Sequence, residues 1–288
     1  MYINSEQVTV KALLLKFLKM REIGALIPLV VIFVIASFSN SAFTSLPNLL
    51  NMLRASAYIF IAAVGMTYVL CGRGLDLSIG SQVGMSGVVL GALMVWWNVP
   101  IVLAIFIALL VGALAGAING FFVVVLRVPP FIATLATFYG YRGILEGVTK
   151  GTPISPMPES FKIIGLGSLF GVAYVIWFMI FLFIVATFVL RKTKYGRYTL
   201  AMGGNPQSTR LAGISTKKLT FSLYVLMGVL ACIAGIFFTS RFSSALPTLG
   251  VGMELKVIAA CIIGGVSLFG GAGSILGTLI GSMFLVVL

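Results

Sequence analysis

Histidine is absent from the 288-residue sequence, Asp76 is its single aspartate, and aspartate and glutamate together number only 6. Most hydrolytic and metal chemistry goes with them. No HExxH helix, aspartate pair or Cys–His cluster is present, so no catalytic residue and no metal ligand set is assigned. The 3 cysteines, Cys71, Cys232 and Cys261, are odd in number, widely spaced and set in apolar segments. That pattern fits packing residues rather than a disulfide framework or a metal site. No GxxxxGK[ST] loop occurs, so the chain has no P-loop for ATP, and any ATP-powered work would draw on another subunit. Charge of either sign is scarce, at 9% of residues, and it is lopsided, with 19 Lys and Arg against 6 acids.

What fills the sequence is apolar: 60% of residues are hydrophobic and the mean hydropathy is +1.17. Those values place the chain among polytopic all-α membrane proteins. The net charge of +13 is then an orientation signal in lipid rather than a nucleic-acid footprint. Apolar segments run over about 23–43, 50–71, 77–126, 131–148, 172–190, 219–239 and 257–288. Residues 77–126 are too long for one span and divide at Trp96–Trp97, and residues 257–288 divide at a glycine-rich stretch, which makes nine segments. The organisation predicted is an N-terminal cytoplasmic segment, 1–22, followed by one transmembrane domain, 23–288. Lys11, Lys16, Lys19 and Arg21 place the N-terminus inside, and Arg54 is expected to snorkel from the outer end of the second span.

The polar stretch 191–218 carries Arg191, Lys192, Lys194, Arg197, Arg210, Lys217 and Lys218 and no acid, which marks it as a cytoplasmic loop. On the resulting topology, Lys and Arg at 11, 16, 19, 21, 73, 127, 191, 192, 194, 197, 210, 217 and 218 lie inside, while Glu146, Glu159 and Glu254 lie outside. Within the loop, Asn205 as cap, Pro206 at the first helical position and Gly213 as the closing residue predict a short helix. Its Leu211, Ala212 and Ile214 have no core of their own to enter, which predicts either a docking partner or a plain connecting helix.

Irregular backbone at membrane depth survives only where protein or a water-filled cavity covers it. Residues 72–80, with Gly74 and Gly80, and residues 264–273, with Gly264, Gly265, Gly270 and Gly271, are the two expected breaks; the shared GxxLxxG pattern hints weakly at duplication. Pathway or gating candidates follow from polar groups in or beside spans. Asp76 either caps the next helix through Ser78 and Ile79 or pairs with Arg73. Asn119 either lines a pathway or bonds between helices; Arg142 either pairs with Glu146 one turn on or sits at the outer interface. Glu254 belongs to the outer segment before the second break. Gly91, Gly112, Gly116 and Gly120 have the spacing of close helix packing.

Three segments taken together resemble the permease subunits of ribose-type ABC sugar importers, a family that includes xylose, arabinose, galactoside and autoinducer-2 permeases. They are GLDLSIG at 74–80, YGRYTLAMGGNPQSTRLAGI at 195–214 and ELKVIAACIIGGVSLFGGAGSILGTLIG at 254–281, with NGFFVVVLRVPPFIATLAT at 119–137 as a weaker fourth. The resemblance implies a vitamin B12-permease-like bundle of about ten spans in the bacterial inner membrane, working as a homodimer or heterodimer of permeases. It implies an ABC ATPase subunit on the inner face, holding the ATP and Mg that this chain does not bind, and a periplasmic sugar-binding protein on the outer face. Asn205, Pro206, Arg210, Leu211, Ala212, Gly213 and Ile214 would then form the coupling helix. The chain ends where the family continues with a further loop and span, as either a natural short form or a truncated one.

The expected function is passage of a monosaccharide or similar polyhydroxy solute through a translocation subunit that is not itself an enzyme. Three other functions compete. An ion-coupled secondary transporter is opposed by the near absence of intramembrane carboxylates. A membrane-embedded enzyme is opposed by the missing histidine and paired acids. A branched-chain amino-acid permease would need charged or helix-end partners for its substrate.

Overall fold

The computed structural model describes residues 23–288, so the cytoplasmic segment expected at 1–22, with its inward basic residues, lies outside the described residues. Helix α1, Ile23–Ser39, leads through a 3-10 turn, Ser41–Thr44, capped by the Asn40 side chain, into α2, Leu46–Cys71. Pro47 in the first turn of α2 starts that helix earlier than expected, because proline is preorganised for an N-terminal turn. Arg54 therefore sits in its third turn, half-buried with Nε enclosed and unpartnered, rather than at a snorkelling end.

Helix α3, Ile79–Gly91, continues as a π turn, Ala92–Trp96, and the Trp pair ends it as anticipated. Then follow α4, Ile101–Val124, and α5, Pro130–Thr149. Between α5 and the next long helix lie α6, Glu159–Leu166, and a small hairpin of β1, Ser168–Leu169, and β2, Val172–Ala173, so the Gly-, Pro- and Ser-rich residues 150–171, which read from sequence as an outer loop, are partly helical. Helix α7, Tyr174–Lys192, is followed by α8, Lys194–Gly204, and α9, Pro206–Leu211, then by α10, Thr216–Phe242. The chain closes with α11, Met253–Ile263, and α12, Ile275–Val287. Among the described residues, five helices are long and apolar enough to cross a membrane: α2, α3 with its π turn, α4, α7 and α10.

Helix α10 is the central strut and packs on α4, α2 and α3. Its contact with α4 is made by glycines, as their spacing predicted. A side chain at Gly112 would strike Gly228 and Cys232, one at Gly116 would strike Tyr224, and one at Gly120 would strike Phe221. The falling partner numbers make α4 and α10 antiparallel, so Arg127, after the end of α4, lies at the Lys217 end of α10. Gly91 meets Ala245 and Ile154 instead, where the 150s loop bridges the 240s loop at the opposite end.

The two GxxLxxG segments fold differently. Gly80 is helical, whereas Gly265, Gly270 and Gly271 take left-handed φ of 81°, 83° and 74°. Gly264 approaches the backbone of Gly277, joining α11 to α12, and Gly74 lies under Val69 and Tyr224. The second break folds onto the first: the Gly271 N–H donates to the Cys71 carbonyl at 2.9 Å, and Gly270 touches Gly203. That places both breaks against α8 and the basic loop. Residues 243–252 form a third irregular stretch, because α11 begins early enough to take Glu254 into its first turn.

Candidate functional site

Irregular backbone between α2 and α3 delivers one carboxylate into the bundle. Asp76 is 0% exposed. Its Oδ1 accepts from the Ser78 backbone N–H at 2.8 Å and the Ser78 hydroxyl at 2.6 Å. Its Oδ2 accepts from the Asn119 amide at 3.1 Å and the Gln82 amide at 3.3 Å. Ser78 Oγ also accepts from Gln82 at 2.6 Å and from Asn119 at 2.8 Å, and Thr137 donates to Asn119 Oδ1 at 2.7 Å. Four donors converge on one carboxylate, each a neutral dipole in a low-dielectric surrounding.

The cluster bonds the break to α3, α4 and α5, so Asn119 makes interhelical bonds. Neither sequence alternative for Asp76 holds in full. Ser78, not Asp76, occupies the cap position of α3, so Asp76 bonds Ser78 but not Ile79. Arg73 is exposed in a left-handed conformation, φ 68°, and lines a surface cavity with Gly204, Asn205, Pro206, Gln207 and Arg210. Sequence reasoning missed Gln82 and Thr137. Gln82 follows Ser78 by four positions, which puts both on one helical face and was the available signal.

A second polar centre forms where α5 meets the 240s loop. Arg142, 8% exposed, donates to the carbonyls of Pro247 and Leu249, with both guanidinium NH2 groups 3.2 Å from the latter. Its guanidinium turns inward to these carbonyls and makes no ion pair with Glu146, which is exposed one turn further along α5. The loop carbonyls are what Arg142 can reach, and they need a donor because no helix or sheet satisfies them. Gly80 permits this arrangement: it abuts Gly250, at φ 79°, and Glu254, so a side chain at either glycine would push the loop away. Glu254 Oε2 is enclosed without a hydrogen-bond partner. Among the described residues no group of three or more His, Cys, Asp or Glu could hold a metal ion.

On the basic face, α9 forms as predicted. The Asn205 side chain accepts from the Ser208 N–H at 2.9 Å, Pro206 opens the helix, and Gly213 leaves it at φ 81°. Arg210 and Ala212 are exposed, Ile214 is half-buried, and Leu211 is 84% exposed. Leu211 is thus an apolar side chain held out on a capped helix, clear of its own core.

A family model described as "Branched-chain amino acid transport system / permease component" matches residues 48–288. The chain belongs to this permease family. Within it, the ribose import permease protein RbsC of Haemophilus influenzae is 42% identical over 268 residues, covering 92% of this chain and 83% of the relative. RbsC of Escherichia coli K12 is 41% identical over the same length and shares. The autoinducer 2 import system permease protein LsrC of Escherichia coli O9:H4 is 37% identical over 274 residues, covering 94% of this chain and 80% of the relative. No solved structure matches. The ribose-type resemblance of the three sequence segments is thus matched by identity along nearly the whole permease chain.

Proposed function

We propose that this permease is the translocation subunit of an ATP-driven importer that carries a monosaccharide or similar polyhydroxy solute into the bacterial cell. The observation that carries the proposal is the 41–42% identity to ribose import permeases across 92% of the chain. In this proposal the chain adopts a vitamin B12-permease-like arrangement of about ten spans in the inner membrane, N-terminus inside, and pairs with a second permease subunit. A periplasmic sugar-binding protein delivers solute at the 240s-loop face. An ABC ATPase, holding ATP and Mg, docks on α9 through Leu211 and Ile214, and the permease itself performs no hydrolysis. Asp76, Ser78 and Asn119 join the helices that must shift together, and Arg142 with Glu254 holds the opposite mouth. Few charges and many hydroxyl and amide groups suit a neutral solute.

The family model's own description supports a second reading, a branched-chain amino-acid permease. Reconstitution with the ATPase and binding protein decides between them. ATPase stimulation by a ribose-class binding protein loaded with sugar, abolished by Leu211→Asp with Ile214→Asp, is the expected result. Stimulation by a leucine-loaded binding protein and by no sugar-loaded one would transfer the assignment to amino acids.

A further inference from the structure

The end of α10 away from the basic loop carries, beside the 240s loop, a cavity whose cations have no part in the transport proposal. It encloses about 260 Å³ between α2, α10 and α11 and is lined by Ala55, Tyr58, Ile59, Phe238, Arg241, Leu249, Gly250, Val251, Met253 and Lys256. Two of those side chains are cations and none is an acid. Arg54 lies one helical turn before Tyr58 on the same face of α2, with its Nε enclosed and unpartnered. The Tyr58 ring is 1% exposed and stacks on Phe238 at 4.3 Å, and the Arg241 guanidinium lies 5.5 Å from its centroid. The Tyr58 hydroxyl is enclosed, and the Arg241 guanidinium is its polar neighbour.

Arg241 and Lys256 in the cavity wall, with Arg54 one turn from Tyr58, repel one another unless an anion joins them. That repulsion is strongest beside apolar walls, where screening is weak. Ile59, Phe238, Val251 and Met253 supply such walls, and Val251 and Leu255 extend an apolar margin outward, 64% and 67% exposed. We propose that this cavity binds a phosphate group, held by Arg241 and Lys256 with a hydrogen bond from Tyr58 and long-range support from Arg54. A tetrahedral oxyanion takes the fork of Arg241 and the point charge of Lys256 at once. The apolar margin favours a phospholipid headgroup as its source, with the glycerol and chains leaving over Val251 and Leu255.

The test is equilibrium binding of a fluorescent short-chain phosphatidylglycerol to the purified chain in uncharged detergent, with unlabelled competitors. Saturable binding displaced by phosphatidylglycerol, weakened about tenfold or more by Arg241→Gln or Lys256→Gln, is expected. Lys256→Arg should keep the affinity within a few-fold, and Tyr58→Phe should weaken it without lowering the thermal midpoint. Displacement by inorganic phosphate as effective as by the lipid supports the phosphate site and assigns its source to free phosphate; weak displacement assigns it to the headgroup. Equal displacement by diacylglycerol, which has the glycerol and chains but no phosphate, overturns the proposal. So does undiminished binding in an Arg241→Gln, Lys256→Gln double variant that melts like the wild type, or displacement by an acidic peptide alone.

Discussion

Asp76 shows how much a single buried carboxylate can organise when only neutral donors face it. Asparagine at 76 would keep an oxygen for Ser78 but turn an NH2 toward the amides of Gln82 and Asn119. Asn119 cannot rotate to meet it without losing the Thr137 bond to its own oxygen. Asp76→Asn should therefore cost about 1–3 kcal/mol for each donor left unpaired. Asn119→Asp should cost at least as much, since two carboxylates would then share one enclosed space. Combining them restores one carboxylate facing one amide, so the double variant should melt closer to wild type than either single variant. Thermal unfolding of the four proteins in detergent measures that coupling, and simple additivity would show that the two side chains do not act as a pair. The sequence made Asp76, Ser78 and Asn119 conspicuous because each is polar in an apolar run. It could not display their convergence, which depends on four segments meeting, nor the turn of Arg142 toward carbonyls 105 and 107 residues away. Carbonyls carry no sequence signal.

At the scale of helices, the same residue type has opposite consequences on two faces. Gly116 and Gly228 sit where α4 and α10 touch backbone to backbone, so Gly228→Leu should overpack the seam by about 1–3 kcal/mol or more and lower the yield of folded protein. Gly140 on α5 has nothing within 4 Å of where its side chain would stand. Gly140→Ala should leave the melting temperature unchanged or raise it, since alanine favours a helix over glycine by roughly 0.5–1 kcal/mol. Size-exclusion profile and thermal midpoint of the two variants check the contrast, and a Gly228→Leu protein as stable as wild type would refute the seam. The long apolar elements were legible because twenty apolar residues admit few alternatives, and the capped α9 was legible because Asn-Pro and Gly state their backbone roles. Helices α6 and α8 were not. Glycine and charged residues interrupt both short sequences, so neither stands out as an apolar run.

For the molecule as a whole, antiparallel packing of α4 on α10 sorts the charges into two ends. Among the described residues, Arg73, Arg127, Arg191, Lys192, Lys194, Arg197, Arg210, Lys217 and Lys218 lie at one end, where the acid Asp76 is buried, whereas Glu159 and Glu254 lie at the other with Arg54, Lys162, Arg241 and Lys256. Basic segments resist translocation, so the end richer in Lys and Arg should face the cytoplasm. Single cysteines at Ser160 and Lys217 read this directly. Both positions are exposed, while native Cys71, Cys232 and Cys261 are all buried and give little background. A membrane-impermeant maleimide should label Ser160→Cys in intact spheroplasts and Lys217→Cys only after the membrane is opened. The reverse pattern would invert the permease. It would put α9 with its exposed Leu211 on the side without ATP, where no ATPase could dock, and the coupling assigned to that helix would fall with the orientation.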